Sequence, residues 1–268
     1  MEYLVAVDLE GIGGVVGDEN QSLTGSADFE LAKVNAVKEV NAAVRALFDN
    51  GATRVAVWDN HGGGGNLDFS KVDPRVEQIN WRAFPYRLDF ASAYNFRGII
   101  YLGYHAREGT FGGVLAHTYS SVAIQYVKIN GAPVGELDID TYIAATHGIA
   151  PLFMASDDVC VAQFKKTSPD TVCVTTKYGK GRNEAVFRDE DTVLQEIYDG
   201  VAKSVKADIK PVSISVPFKM EVRYSRAEMA KKMYERALET DAISAEYGED
   251  THTVIFTVEK HNRSVHVL

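Results

Sequence analysis

Three short apolar runs in the first half of the chain end on side chains that bind metals. Tyr3 to Val7 runs into Asp8 and Glu10, Thr53 to Trp58 into Asp59 and His61, and Gly98 to Tyr104 into His105. An apolar run that breaks into a loop is how a buried strand ends, and in an open parallel sheet ligands gather beyond the carboxyl ends of the strands. Residues far apart in sequence can therefore meet at one sheet edge. Two imidazoles with two or more carboxylates form a borderline-hard donor set suited to Zn²⁺, Mn²⁺ or Co²⁺, and a carboxylate shared between two ions holds them about 3.5–4 Å apart. Asp8 and Glu10 alternate in an extended segment, so both carboxylates face one side. Glu136, at the start of a helical stretch, supplies a further side of the site.

Other candidates are less specific. His117 follows His105 after Gly112-Gly113, and taken alone it reads as a structural histidine slightly in preference to an acid/base. The cluster Gly11-x-Gly13-Gly14-x-x-Gly17 does not open a helix, and two carboxylates before it repel a pyrophosphate, so it is not a dinucleotide fingerprint. Gly62 to Gly65 lacks a Gly-Lys-Ser/Thr ending, and both clusters read as walls of a pocket. Asp157 and Asp158 suit a helix N-cap, with a hydrogen bond to a ligand histidine as the sharper alternative. Lys177 and Arg182 read as solvated loop charges in preference to an anchor for a substrate carboxylate. His147, His252, His261 and His266 read as surface or packing residues.

The elements that must position these groups alternate between strand and helix. Leu31 to Phe48 has helical periodicity, with Asp28 as N-cap and Asn50-Gly51 as stop, which makes the opening a β-α-β unit with a right-handed crossover. Val122 to Val134 predicts a hairpin, Glu136 to His147 a helix, Pro151 to Ala155 and Thr171 to Thr176 strands, and Asp189 to Lys206 a helix. This is an α/β fold, a mostly parallel three-layer sheet domain over residues 1–210. After Pro211 the texture changes. Val212 to Tyr224 is rich in β-formers, Ser225 suits a helix cap, and Ala242 to Tyr247 pairs with Thr251 to Val258, which predicts a smaller α+β region over residues 211–268.

Composition narrows the function. The chain has 268 residues, of which 46% are apolar, enough for a core without metal or disulfide staples. With 28 Lys+Arg against 37 Asp+Glu the net charge is -9, which disfavours a general grip on nucleic-acid phosphates. No stretch approaches the ~20 apolar residues of a membrane span, and the N-terminus has no leader pattern, so no membrane partner and a cytoplasmic location are expected. Cys160 and Cys173 are not spaced as C-x-x-C and read as buried packing residues.

Five ordered motifs carry a resemblance. V-D-L-E-G at 7–11, D-N-H-G at 59–62, G-Y-H-A at 103–106, H-T-Y-S at 117–120 and N-G-x-x-V-G-E at 130–136 together resemble the zinc D-aminopeptidases of the DppA type. The resemblance implies two zinc ions held by Asp8, Glu10, His61, His105 and Glu136, with Asp8 between them, and a direct catalytic role for His117. It also implies hydrolysis of short peptides with an N-terminal D-residue such as D-Ala, and a ring-shaped homo-oligomer that encloses its active sites. The similarity fades after about residue 185. Asn60 stands where the family pattern has a small hydroxyl residue, which bears on substrate choice. The chemistry implied is metal-assisted amide hydrolysis, one ion polarising the scissile carbonyl and a bound water attacking it. A hydrolase of another small amide or ester would use the same site, and a dipeptide-binding protein without turnover is the reading from another class.

Overall fold

In the computed structural model, which describes residues 1–19 and 21–268, the chain opens with β1 (Glu2–Val7), α1 (Phe29–Asp49), β2 (Arg54–Asp59), the short β3 (Glu77–Gln78) and β4 (Phe96–Leu102). It continues through β5 (Ile124–Ile129), β6 (Ala132–Pro133), α2 (Glu136–Thr146), β7 (Ala150–Ser156), α3 (Asp158–Thr167) and β8 (Val172–Thr175). A hairpin of β9 (Lys177–Gly181) and β10 (Glu184–Phe187) precedes α4 (Glu190–Ser204). Then come β11 (Phe218–Tyr224), α5 (Ala227–Glu239), β12 (Ile243–Tyr247) and β13 (Thr253–Val258).

Six strands form a parallel sheet in the order β3-β2-β1-β4-β7-β8. The interiors of its central strands are largely apolar because both faces are covered. In β1, Leu4 and Ala6 enter one core while Tyr3, Val5 and Val7 enter the other, and β2 and β4 divide in the same way. The first face is closed by α2 and α3 through Ile139, Ile143 and Phe164, and the second by α1 and α4 through Val40, Leu47, Ile197 and Val201. Each fully buried Val or Leu contributes about 1.5–3 kcal/mol, so β1 holds the backbone that leads into Asp8 rigidly.

The second sheet is antiparallel, in the order β12-β13-β11-β5-β6, and Val127, Met220, Val222 and Phe256 pack into the core shared with α2 and α3. It draws strands from both sides of residue 210, since β11 pairs with β5 from Met220↔Ile129 to Tyr224↔Ile124. The sheet boundary therefore differs from the expected chain boundary.

Two expected caps do other work. The Asp28 carboxylate accepts the backbone N–H groups of Val16 and Gly17 at 2.9 Å each and fastens the loop after β1 to the start of α1. Ser225 Oγ donates to the Val122 carbonyl, and α5 starts one residue later, after Arg226. The β9–β10 hairpin was not legible as two strands, because its residues are mostly polar or glycine.

Candidate metal centre

Backbone hydrogen bonds bind the ends of β1, β2 and β4 into one edge. Asp8 N–H donates to the Leu102 carbonyl (2.8 Å), Gly11 N–H to Gly103 (2.7 Å) and Asn60 N–H to Val7 (2.8 Å). The approach is so close that a Cβ on Gly11 would lie 2.0 Å from the Tyr104 carbonyl oxygen, so a side chain there would push the strand ends apart.

On this edge Asp8, Glu10, His61, His105 and Glu136 are all buried, and they converge. His61 Nδ1 lies 2.9 Å from Asp8 Oδ1 and 3.2 Å from Glu10 Oε2. His105 Nε2 lies 3.4 Å from Asp8 Oδ2 and 3.3 Å from Glu136 Oε1. His117 Nε2 is 3.6 Å from the same Glu136 oxygen, which also accepts the Tyr119 backbone N–H at 2.7 Å. Two overlapping sets, Asp8–Glu10–His105 and His105–His117–Glu136, each have their donor atoms within 4.8 Å of one another.

The outer nitrogen of each imidazole is engaged. His105 Nδ1 meets the Ala106 carbonyl at 3.1 Å, His117 Nδ1 the Leu115 carbonyl at 2.9 Å, and His61 Nε2 the Thr24 hydroxyl at 3.1 Å. A carbonyl only accepts, so Nδ1 of His105 and of His117 carries a proton and, in the neutral ring, Nε2 presents a lone pair. Histidines that bind metals are held in this way, one nitrogen donating to a carbonyl while the other faces the ion. Among the described residues, buried His105 Nε2 has no hydrogen-bond partner, although two carboxylates lie within 3.4 Å. Lone pair facing carboxylate is repulsive unless positive charge lies between them, and this fits a metal centre.

The electrostatics agree. Burial and the neighbouring Glu10 push Asp8 up to about 7. Burial alone would lower His61 and His105, but the carboxylates around them prevail and lift them to about 11 and about 10. Glu10 is held well below the usual range and Glu136 falls to about 2, both against burial, because imidazoles face them. Without a metal, protons on the histidines balance the carboxylates. His117 is lowered, by burial and by His105.

Some expectations fail. Asp59 is absent from the cluster because its carboxylate shapes the following turn, accepting from Asn66 and Leu67 backbone N–H groups and from Asn66 Nδ2. Lys177 is not a solvated loop charge. Its ammonium is fully buried and donates to the carbonyls of Glu10 (2.6 Å), Ile12 (2.8 Å) and Val15 (2.6 Å), clamping the loop that carries Glu10. Other expectations hold: Asp157 caps α3 by accepting from Val159 and Cys160 N–H groups. His252, His261 and His266 bond to Tyr224, Ile214 and Arg236 away from the site. Cys160 is buried and Cys173 half-buried.

A cavity of about 300 Å³ opens on the cluster. Asp8, Glu10, His61, His117 and Glu136 line one part of it, and Asn60, Arg87, Tyr119 and Arg182 are among the remaining walls. Arg87 and its buried partner Asp140 were not anticipated. The only signal was an acidic residue, Asp140, on the apolar face of a helix.

Comparison with known proteins agrees with this architecture. A D-aminopeptidase of Bacillus subtilis (strain 168) is 26% identical over 255 residues, spanning 92% of this chain and 91% of that protein. The solved structure described as the zinc-dependent D-aminopeptidase DppA from Bacillus subtilis, a self-compartmentalizing protease, superposes with a TM-score of 0.86 at 24% identity, covering 100% of this chain and 95% of that one. That likeness establishes the fold. The family model described as D-aminopeptidase, peptidase family M55, matches residues 1–259, and the chain therefore belongs to the D-aminopeptidase family of peptidases.

Proposed function

We propose that the protein is a zinc-dependent aminopeptidase that removes D-residues of the D-alanine type from the N-terminus of short peptides. Its centre holds two zinc ions through Asp8, Glu10, His61, His105 and Glu136. One observation carries this reading: the two oxygens of Asp8 face different histidines, Oδ1 toward His61 at 2.9 Å and Oδ2 toward His105 at 3.4 Å, as a carboxylate shared by two ions would. When bound, a zinc pair supplies Lewis-acid polarisation of the scissile carbonyl and a water acidic enough to attack near neutral pH.

The chain's own residues do the rest. Glu10 and His61 stand on one side of Asp8, and His105 and Glu136 on the other. His117, with Nδ1 held by the Leu115 carbonyl, points Nε2 toward the cluster and serves as the acid/base that moves the proton during cleavage. The loop bearing it is locally strained, with Leu115 at φ 50° and Tyr119 at φ 56° on either side of His117. Arg182 Nη1 donates to the Ala116 carbonyl and fastens that loop from the β9–β10 hairpin.

The proposal extends to assembly into a ring-shaped homo-oligomer that encloses its active sites. The related DppA is described as self-compartmentalizing, which supports the same reading. Among the described residues no helix is long and apolar enough to cross a membrane. The deciding experiment combines metal analysis of the purified protein with turnover of paired D- and L-terminal dipeptides. Two zinc ions per chain with preference for the D-series is the expected result. One ion or none after reconstitution, or equal rates for both series, would overturn the corresponding part.

A further inference from the structure

Asn60 precedes His61, is buried (6% exposed) and lines the cavity. Its amide is oriented by a chain of hydrogen bonds. Arg87 grips Asp140 through Nε and through Nη2 (2.7 Å), and Asp140 Oδ2 accepts the Tyr104 hydroxyl at 2.7 Å. With its proton donated to Asp140, the Tyr104 oxygen can only accept from Asn60. The Asn60 side-chain atom 2.8 Å from that oxygen also lies 3.4 Å from Asp140 Oδ2, another acceptor. Only an NH₂ group satisfies both, so Nδ2 faces Tyr104 and Oδ1 is turned away from it.

Among the described residues, buried Oδ1 has no hydrogen-bond partner. A buried carbonyl left unpaired carries its full desolvation cost, so Arg87, Asp140 and Tyr104 hold an acceptor ready for a group supplied from elsewhere. That group must be a donor. Backbone pairing of Asn60 with Val7 sets the residue beside Asp8, next to the cluster over which the scissile carbonyl would lie. In a peptide, the α-amino nitrogen is two bonds from that carbonyl carbon. Of the cavity's charged side chains, Arg182 cannot accept from an amine, Arg87 is neutralised by Asp140, and the carboxylates of Asp8, Glu10 and Glu136 are those that would hold the metal, which leaves Asn60 Oδ1 as an uncommitted acceptor beside them.

We infer that Asn60 Oδ1 accepts a hydrogen bond from the free α-amino group of the substrate, which makes Asn60 a specificity-determining residue for an unblocked N-terminus. This inference rests on the aminopeptidase reading above.

The test compares two competitive inhibitors that differ only in the amine, D-alanine hydroxamate and propionohydroxamate, against the zinc-loaded wild-type, Asn60→Leu and Tyr104→Phe proteins. Leu keeps much of the shape of Asn and removes the acceptor. Asn60→Leu is expected to weaken D-alanine hydroxamate by about 10- to 100-fold, the range for a hydrogen bond to a charged group, and to change propionohydroxamate less than about threefold. Zinc content should stay at the wild-type value. Tyr104→Phe, which removes only the group that orients the amide, should shift the same ratio in the same direction by a smaller factor. Equal weakening of both inhibitors, or an unchanged ratio, overturns the inference; if Asn60→Leu fails to fold, the Tyr104→Phe ratio decides alone. A wild-type protein that cleaves D-terminal dipeptides while the ratio fails to move refutes this role only, whereas a wild-type protein inactive on every such peptide refutes the function beneath it.

Discussion

The imidazole rings of His105 and His117 are stacked, with centroids 3.9 Å apart and planes at 11°. The pair is not equivalent. His105 is enclosed at 3% exposure with Nε2 between Asp8 and Glu136, whereas His117 lines the cavity and approaches Glu136 alone. One ring is placed to hold charge in the cluster and the other to meet substrate. His117→Ala should therefore keep the fold and the wild-type zinc content while losing on the order of 10²–10⁴ in kcat, the range for removing a positioned proton-transfer group. His105→Ala should lose zinc affinity first and recover part of its activity at high added zinc. Metal analysis beside steady-state kinetics separates the two, and loss of zinc from His117→Ala would make His117 a ligand.

Asp8 is the residue whose loss should reach both halves of the centre. Its two oxygens serve different histidines, so Asp8→Asn leaves only one oxygen for ligation. Zinc bound per chain is expected to fall below one and kcat to drop by at least about 10³-fold, more than for Glu10→Gln, whose carboxylate makes its close contact, at 3.2 Å, with His61. Equal effects of the two substitutions in the same metal titration would remove the shared role of Asp8.

The convergence of these carboxylates and imidazoles was legible because the residues sit at the ends of apolar runs, where a parallel sheet brings strand ends together whatever their separation in sequence. Asp8, Glu10, His61 and His105 all carry that signal, and Glu136 is readable as the start of a helix. The supporting shell was not legible. Lys177 follows a strand among glycines and reads as a solvated charge, yet three carbonyls from a loop more than a hundred residues earlier enclose it, and nothing local to Lys177 reports them. Asp140 and Arg87 pair across the fold in the same way. The antiparallel sheet was half legible: the β12–β13 hairpin follows from its turn residues, but its union with β5 through β11 is a long-range pairing that alternation alone does not specify.

Lys177 yields a prediction of its own. Replacing it with Met keeps the chain length of the stem and removes all three donors from the carbonyls of Glu10, Ile12 and Val15. Each buried carbonyl left unpaired costs about 1–3 kcal/mol, about 3–9 kcal/mol for the three, and removing the burial penalty of the ammonium offsets part of this, so Lys177→Met should lower the unfolding free energy of the metal-free protein by about 3–5 kcal/mol. Because one of those carbonyls belongs to Glu10, zinc should also dissociate at least about tenfold more readily. Urea denaturation and competition with a chelator measure the two effects. Stability lost with unchanged zinc affinity would confine Lys177 to holding the fold.

Glu39 on α1 provides a pH signature separate from the metal cluster. Its Oε1 accepts the Gly13 N–H at 2.8 Å, its Oε2 is buried without a partner among the described residues, and burial raises the carboxyl to about 7. The folded protein thus keeps this proton up to about pH 7, whereas the unfolded chain releases it near 4.5. Between those values the folded state binds more protons, so this residue's contribution to stability falls as pH rises and its full penalty is present above pH 7. Gln preserves the acceptor for Gly13 and cannot ionise. The stability of Glu39→Gln relative to wild type should therefore increase by about 2–3 kcal/mol between pH 5 and pH 8. Urea midpoints of both proteins at the two pH values give this difference; titrations remote from Glu39 cancel, while Lys177, which faces Glu39 and is lowered by burial to about 8, contributes at the upper pH. Parallel pH profiles would show that Glu39 ionises in the folded protein as it does in the unfolded chain.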